Sequence, residues 1–450
     1  MSTTRRPGPA EAVAVTALVA LGLLATPARA QVGTAQEEGP FALTGGTVHT
    51  LAGESLENGT VVIRDGRIEA VGVGFEPPSD ARRVDASGLH VYPGLFDPFT
   101  RLGLTEIGAV DVTNDVEELG DYNPHLAAFA AVHPASEHIP VARANGITHA
   151  LSVPGGGRIP GQASLIHLAG WTVEEMLGEE TAGMVIDFPT IQTRRFDFET
   201  FSFVEREYAE AEEEYEEDLA ELEEWIEAAE HYARATGSGG RVEPDRRLEA
   251  LARVVRGEIP AVISADSERD IRNAVAFAEE HGMRMILAGS GGGFFAGDQE
   301  AARVADLLAE KGIPAILAPT QRMPPDADAP YDEPYAAPGV LHEAGVLFAF
   351  ATYDASSVRT LPYQAAMAVP YGLPHEEALR AVTINPARIF GVDDRLGTIE
   401  EGKLANLVVT DGDPLEITTR VVHLFIQGRK TDLENKHRRL YEEYRARPSP

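Results

Sequence analysis

Residues 90–104 read HVYPGLFDPFTRLGL, from His90 to Leu104. Val91 and Tyr92, with Leu95 and Phe96, make a short apolar run interrupted by Pro93 and Gly94, which predicts a buried strand. The run ends in Asp97, Pro98, Phe99, Thr100 and Arg101, a polar mouth, and turns again at Gly103. In a barrel of parallel strands, chemistry is placed at that C-terminal mouth.

On the N-terminal side, Phe41 to Val91 is a series of short β runs separated by turns at Gly45-Gly46, Asn58-Gly59 and Asp65-Gly66. Asp65-Gly66, set between VVIR and RIEAVG, is a hairpin signal. Strands this short need a partner to bury a core. The far end of the chain offers one: Leu396–Gly428 alternates β runs (Asn406–Thr410, Val421–Gln427) with turns at Gly402, Asp411-Gly412 and Asp413-Pro414. Between these ends, helix and strand patterns alternate, as in Arg247–Arg256 before Ala261–Ser264 and Glu268–His281 before Arg284–Ala288. Thr148–Val153, Ser164–Leu168, Met184–Phe188, Pro314–Leu317 and Val346–Ala351 are further strand candidates. Such alternation builds a parallel (β/α) barrel.

The 93–97 stretch resembles the first barrel strand of the amidohydrolase superfamily, usually P-G-[LF]-[IV]-D-x-H-x-H-[LV]. Pro93, Gly94, Leu95, Phe96, Asp97 and Leu102 match it, whereas Phe99 and Arg101 stand where the two histidines belong. The G-x-I-E-x-G-K-x-A-[DN]-L-V-V pattern from Gly397 is a second match, with Asn406 in place of the more usual Asp. The resemblance covers roughly Phe41–Gly428 and is nearest to imidazolonepropionase-like and prolidase-like members. It implies an α/β chain: a TIM (β/α)8-type barrel over 93–395, with a small β-sandwich domain assembled from 41–92 and 396–430.

The resemblance also implies a metal site, and its positions carry over one by one. The family holds zinc or another divalent metal on a first-strand His-x-His, a fourth-strand Lys or Glu, fifth- and sixth-strand histidines and an eighth-strand Asp. The metal lowers the pKa of bound water and polarises the scissile carbonyl, and the Asp accepts a proton. Here Phe99 and Arg101 cannot ligate; Ser264 falls at the fifth-strand position and Ala288 or Gly289 at the sixth. Asp187 is the ionisable group nearest the fourth-strand position, and Asp354, or Tyr353 one residue earlier, meets the eighth-strand Asp. No metal and no other cofactor is expected. Asp354 is the candidate catalytic base; Asp97, Phe99, Arg101, Ser264, Asp266, Ala288, Tyr353 and Arg359 are candidates for the pocket. Arg101 could supply the positive charge the metal would have brought and pair with Asp354 across the mouth, or it could be a solvated loop residue.

His125, His133, His138, His149 and His167 lack the spacing that aims two imidazoles at one ion, and read as surface or hydrogen-bonded side chains. Gly155–Gly157 before Arg158, and Gly289–Gly293, are loops whose amides could form an anion nest; neither carries a phosphate-loop Lys-Ser/Thr ending. No G-x-S-x-G elbow is present.

At 450 residues the chain has room for one large and one smaller domain. The formal net charge of −33, from 71 acidic against 38 Lys and Arg, argues against a nucleic-acid partner. There is no cysteine, so disulfides and thiolate metal sites are excluded. Residues 1–30 read as a secretory signal peptide: Arg5 and Arg6, an apolar run Ala12–Ala25, then Ala28-Arg29-Ala30 before a cut at Gln31. The alternative is an uncleaved anchor. Cleavage predicts a periplasmic or extracellular protein with no membrane contact.

An insertion at about 199–237 is strongly acidic: Glu205 to Glu230 holds fourteen acidic residues and one Arg. Tyr208, Ala211, Tyr215, Leu219, Leu222, Ile226 and Ala229 lie three or four apart, one apolar stripe along a long helix. That stripe predicts docking on the barrel or contact with a partner, and 431–450 predicts a C-terminal helix. Two functional expectations follow. One is an exported hydrolase acting on non-peptide C–N bonds of a small cyclic amide, amide or dipeptide, through an altered pocket. The other is a non-catalytic relative that binds a small molecule, as a homo-oligomer or paired with an active paralogue.

Overall fold

The computed structural model describes residues 36–197, 202–238, 242–289, 299–323 and 329–447. The signal-peptide reading of 1–30 and the glycines 290–293 lie outside the described residues. Among described residues no helix is long and apolar enough to cross a membrane.

One sheet draws on both chain ends. Its strands are β1 (Gln36–Glu37), β2 (Phe41–Val48), β3 (Leu56–Arg64), β4 (Arg67–Gly72), β5 (Arg82–Asp85) and β6 (His90–Pro93). To these the chain end adds three strands, given below as β17 to β19. The central ladder joins the ends: Leu407 to Thr410 pairs antiparallel with Pro93 to His90. Phe41, Ile63, Val91, Leu407 and Phe425 are fully buried between the layers. Phe41 meets Phe425 edge to face at 5.3 Å, a contact available only when both ends are present.

The second sheet is an almost closed eight-stranded barrel. It begins with β7 (Leu95–Thr100), β8 (Ile147–Ser152), β9 (Gly161–His167) and β10 (Leu177–Asp187). A two-stranded ribbon follows, β11 (Arg194–Asp197) with β12 (Ser202–Glu205). The barrel resumes with β13 (Ala261–Ser264), β14 (Met285–Ala288), β15 (Ala315–Leu317) and β16 (Phe348–Phe350), in spatial order β7-β8-β9-β10-β13-β14-β15-β16. Then β17 (Leu407–Thr410), β18 (Val421–Ile426) and β19 (Arg429–Thr431) return to the first sheet. The barrel closes through side chains and one backbone bond, Tyr353 N–H to Phe99 C=O at 2.8 Å, where β16 meets β7.

Two expectations need correcting. The apolar run of residues 91–96 is two strands, because β6 belongs to one sheet and β7 to the other. Gly94 is the hinge, and a Cβ there would lie 2.1 Å from Thr148 Oγ1. Nor is the barrel wholly parallel: β9 runs antiparallel to both β8 and β10. The linker after β8, VPGGGRIP, is too short for a crossover helix, so the chain turns straight back.

Alternation sorts the barrel residues into two populations. Phe96, Phe99, Leu151, Val185, Val262, Ile286, Ile316, Ala349 and Tyr353 fill the interior. Leu95, Ile147, Ile186, Ile263, Leu287 and Phe350 face outward under the helices. The acidic helix, Tyr208–Gly237, lies on that outer layer with Leu222, Ile226 and Ala229 fully buried. Its stripe is used within the chain; Tyr215 and Leu219 are partly covered, and Tyr208 is exposed.

Candidate functional site

The C-terminal strand ends bring Phe99, Arg101, Asp187, Ser264, Ala288 and Tyr353 around one mouth. Phe99, Asp187, Ser264 and Ala288 sit there because, with side chains alternating, the last inward position of a strand points at the barrel axis; Arg101 and Tyr353 follow just past β7 and β16. Phe99 and Tyr353 stack at 4.3 Å between ring centroids and are fully buried. The Tyr353 hydroxyl donates to Ile316 C=O at 3.0 Å and accepts from Gly289 N–H at 2.8 Å. Burial pushes that phenol up, so it stays a neutral donor.

Tyr353 holds this place at φ 59, a left-handed backbone uncommon for a bulky residue. The twist turns Tyr353 inward and Asp354 away. The Asp354 carboxylate accepts from Ser356 Oγ at 2.6 Å and Ser357 Oγ at 2.8 Å. Burial pushes Asp354 up, but these hydroxyls outweigh it and leave the group below its usual range. Arg101 does not reach it. The guanidinium instead donates to the carbonyls of Val153 and Pro154 and lies 5.6 Å from the Phe99 ring centroid. Burial lowers the Arg101 pKa, and Asp187 is the main group opposing that shift.

Asp97 lies behind the aromatic pair, completely buried. Its carboxylate accepts from Thr352 Oγ1 at 2.5 Å and from the amides of Thr352 and Phe99 at 3.3 Å. Burial nevertheless pushes it up to about 7. Asp97 therefore joins β7 to β16 rather than facing a ligand. Asp266 lies just past β13, close enough to raise the Tyr353 pKa further. Arg359 is not brought to the mouth: it is exposed, with Nη1 3.3 Å from His437 Nδ1.

An open cleft of about 450 Å³ enters the mouth between β10 and β13. Asp187 and Ser264 form its floor, and Tyr122, Arg158 and Asp218 its walls. The Asp187 carboxyl is raised by burial, against Arg101, the Ser264 hydroxyl and Arg158. Arg158 donates to Asp187 C=O at 2.9 Å and to the Asp218 carboxylate, tying the acidic helix to the rim. Tyr122 stacks on Trp225 of the same helix at 5.1 Å. A cleft of similar size, about 460 Å³, lies near the opposite strand ends by Met283, Arg284 and Leu347. That end of a barrel serves stability.

The arrangement does not suit a divalent cation. At the family's ligand positions stand an aromatic pair, a guanidinium, a hydroxyl and an alanine, the Tyr353 oxygen is already engaged, and Asp187 is left as a single carboxyl with no second ligand beside it among the described residues. Among the described residues no three His, Cys, Asp or Glu side chains are grouped to hold a metal. The glycines after β8 do not make an open anion nest either. A Cβ at Gly156 would lie 2.5 Å from Glu117 Cβ, and one at Gly157 2.6 Å from Asp121 Cα. The sequence reading passed over Thr352 and the Arg158–Asp218 pair. The signal for Arg158 was its place in a mouth loop; nothing local marked its partner sixty residues on.

Comparisons with known proteins agree with the fold. The model of the amidohydrolase family matches residues 173–433. Amidohydrolase tasK of Hapsidospora irregularis is 25% identical over 401 residues, 83% of this chain. This chain spans 39% of the length of that relative. An imidazolonepropionase of Sphingopyxis alaskensis is 46% identical over 52 residues, 11% of this chain and 13% of that protein. Among solved structures, an amidohydrolase from Thermotoga maritima MSB8 aligns with a TM-score of 0.73 at 26% identity, covering 87% of this chain and 99% of that one.

Proposed function

This chain belongs to the amidohydrolase family, and we propose that within it the protein binds a small polar molecule at the barrel mouth without metal-assisted hydrolysis. The observation that carries this reading is the Phe99–Tyr353 stack, which fills the place where the family's ligands converge. Recognition then falls to the cleft beside it. Arg158 and Ser264 offer donors, Asp187 an acceptor, and Tyr122 a flat apolar wall.

A second reading is favoured by Asp187 alone. A carboxyl raised by burial and hydrogen-bonded to Ser264 could act as a general base on water, hydrolysing a small C–N bond without a metal. Asp354, held by two serines, is the weaker candidate for that role.

The test uses purified protein and a panel of small amides, lactams and dipeptides, with and without added zinc. Binding is followed by thermal shift and turnover by product release. The first reading expects stabilisation by some members, no turnover, and loss of stabilisation in Arg158→Ala. Zinc-independent turnover abolished in Asp187→Asn would select the second. Turnover that needs zinc and vanishes with a chelator would sink both.

The reading also places the protein outside the cytoplasm, on the strength of Arg5, Arg6, the run Ala12–Ala25 and Ala28-Arg29-Ala30. N-terminal sequencing of the native protein should begin at Gln31. Co-purification with a relative that keeps the four histidines would indicate that it works as a partner subunit.

A further inference from the structure

We propose that His49 and His90 form a two-nitrogen binding site for a transition-metal ion, away from the barrel mouth. His49 directly follows β2 and His90 opens β6, and these strands run parallel with Thr47 opposite His90. That register puts His49 Nε2 3.0 Å from His90 Nδ1. Two imidazole nitrogens bound to one ion at about 2.0–2.1 Å, in neighbouring coordination positions, are themselves separated by roughly 3 Å. The spacing is that of the N–H···N hydrogen bond the rings share, and it also matches two donors on one ion.

The surroundings hold the pair in place. Ser55 Oγ lies 3.0 Å from His49 Nδ1, the kind of outer contact that fixes a ligating ring's tautomer and leaves the other nitrogen free to bind. The Tyr92 ring lies flat on His49 at 4.2 Å, with an interplanar angle of 2°. Glu57 and Asp413 both act on His49 as negative neighbours, and His375 Nε2 contacts Asp413 Oδ2 at 2.5 Å. Their charge favours a cation.

Without metal, one N–H bridges the two rings. Binding replaces that bridging hydrogen: in the tautomer in which His49 Nδ1–H donates to Ser55 Oγ, the hydrogen on His90 moves from Nδ1 to Nε2, and water fills the other coordination positions. Imidazole donors with nearby carboxylates suit zinc, nickel and copper, and copper(II) binds tightest in that series.

The experiment uses the full chain purified without a histidine tag. Substoichiometric copper(II) is followed by electron paramagnetic resonance, and nickel or zinc by calorimetric titration. The expected results are two equatorial nitrogens and one ion per chain. His90→Gln and His49→Gln should abolish binding, and Ser55→Ala should weaken it by about ten-fold. His133→Gln, exposed and elsewhere, should change nothing. A spectrum with fewer than two nitrogens, or titration unchanged in His90→Gln, overturns the proposal. Should either Gln variant fail to fold, the copper spectrum of the unaltered protein decides.

Discussion

The two ends of the barrel both bury polar side chains, yet they are built from opposite chemistry. Toward the mouth lie Asp97, Arg101 and Asp187, around an aromatic pair. Toward the sandwich lie His149 and His167, with Asn406 between them. Asn406 Oδ1 accepts from Gln427 N–H at 2.7 Å, which fixes the amide. Its Nδ2 then faces Nδ1 of His167 at 3.3 Å and of His149 at 3.4 Å, and the His149 Nδ1 also lies 2.7 Å from Thr148 Oγ1. This fold has imidazoles in plenty; they stand at the end of the strands where no chemistry is expected. Position along the strand, more than residue count, decides what a barrel can do.

The sharpest way to break the contrast is at the mouth. Tyr353→Ala removes a fully buried ring stacked on Phe99 and should cost about 4 kcal/mol. Urea denaturation would show the midpoint fall with little change in slope. Tyr353→Phe keeps the ring and leaves Gly289 N–H without its acceptor, for about 1–3 kcal/mol. If Tyr353→Ala proved neutral, the aromatic pair would not be the plug described here.

Next comes pH, where the two ends should pull in opposite directions. Folded Asp97 keeps its proton up to about 7, far above its ordinary value. Its stabilising contribution is complete at acid pH and is lost as pH rises toward 7. His167 is held at about 4 by burial, below the ordinary 6.5, and His149 is also lowered. The His167 contribution is present above pH 6.5 and is lost as pH falls toward 4, and His149 acts in the same direction. Each effect is at most about 3–4 kcal/mol. Denaturation at several pH values should show Asp97→Asn gaining on the unaltered protein as pH rises from 4 to 7. His167→Gln should gain on it as pH falls through the same interval. Parallel slopes in the two variants would contradict the assignment.

That opposition marks where sequence reasoning stops. The sandwich was legible because strand-turn patterns occur at both chain ends and neither can bury a core alone. Phe99 and Arg101 were legible as substitutions because their spacing from Asp97 is fixed along one strand. Whether Tyr353 or Asp354 faces inward was not, since the answer depends on one residue adopting φ 59. Nor was the His49–His90 contact, which joins residues 41 apart through a parallel register. Local pattern fixes which way a side chain alternates; only the assembled sheet fixes what stands opposite it.

A smaller change sharpens the view of the far end. Asn406→Asp would place a carboxylate between the two imidazoles, requiring each to turn its hydrogen to Nδ1. An adjacent negative charge favours the imidazolium, so His167 should titrate at least about one unit higher. Nitrogen chemical shifts of the imidazoles against pH would report both changes. An unaltered His167 titration would mean that Asn406 does not govern the pair.

The smallest effect belongs to the rim. Asp218→Ala breaks the ion pair with Arg158, whose side chains are 40% and 20% exposed, and pairs that wet contribute about 1 kcal/mol or less. The helix carrying Asp218 should stay docked, because Leu222, Ile226 and Ala229 beneath it are fully buried. What should change is the mouth. Freed from Asp218, the Arg158 guanidinium retains its bond to Asp187 C=O but gains a free donor facing the cleft. Hydrogen exchange should therefore show unchanged protection along Tyr208–Gly237, while any anionic ligand of the cleft binds more tightly than before. Loss of protection over the helix would mean that charge, rather than the apolar stripe, holds it on the barrel.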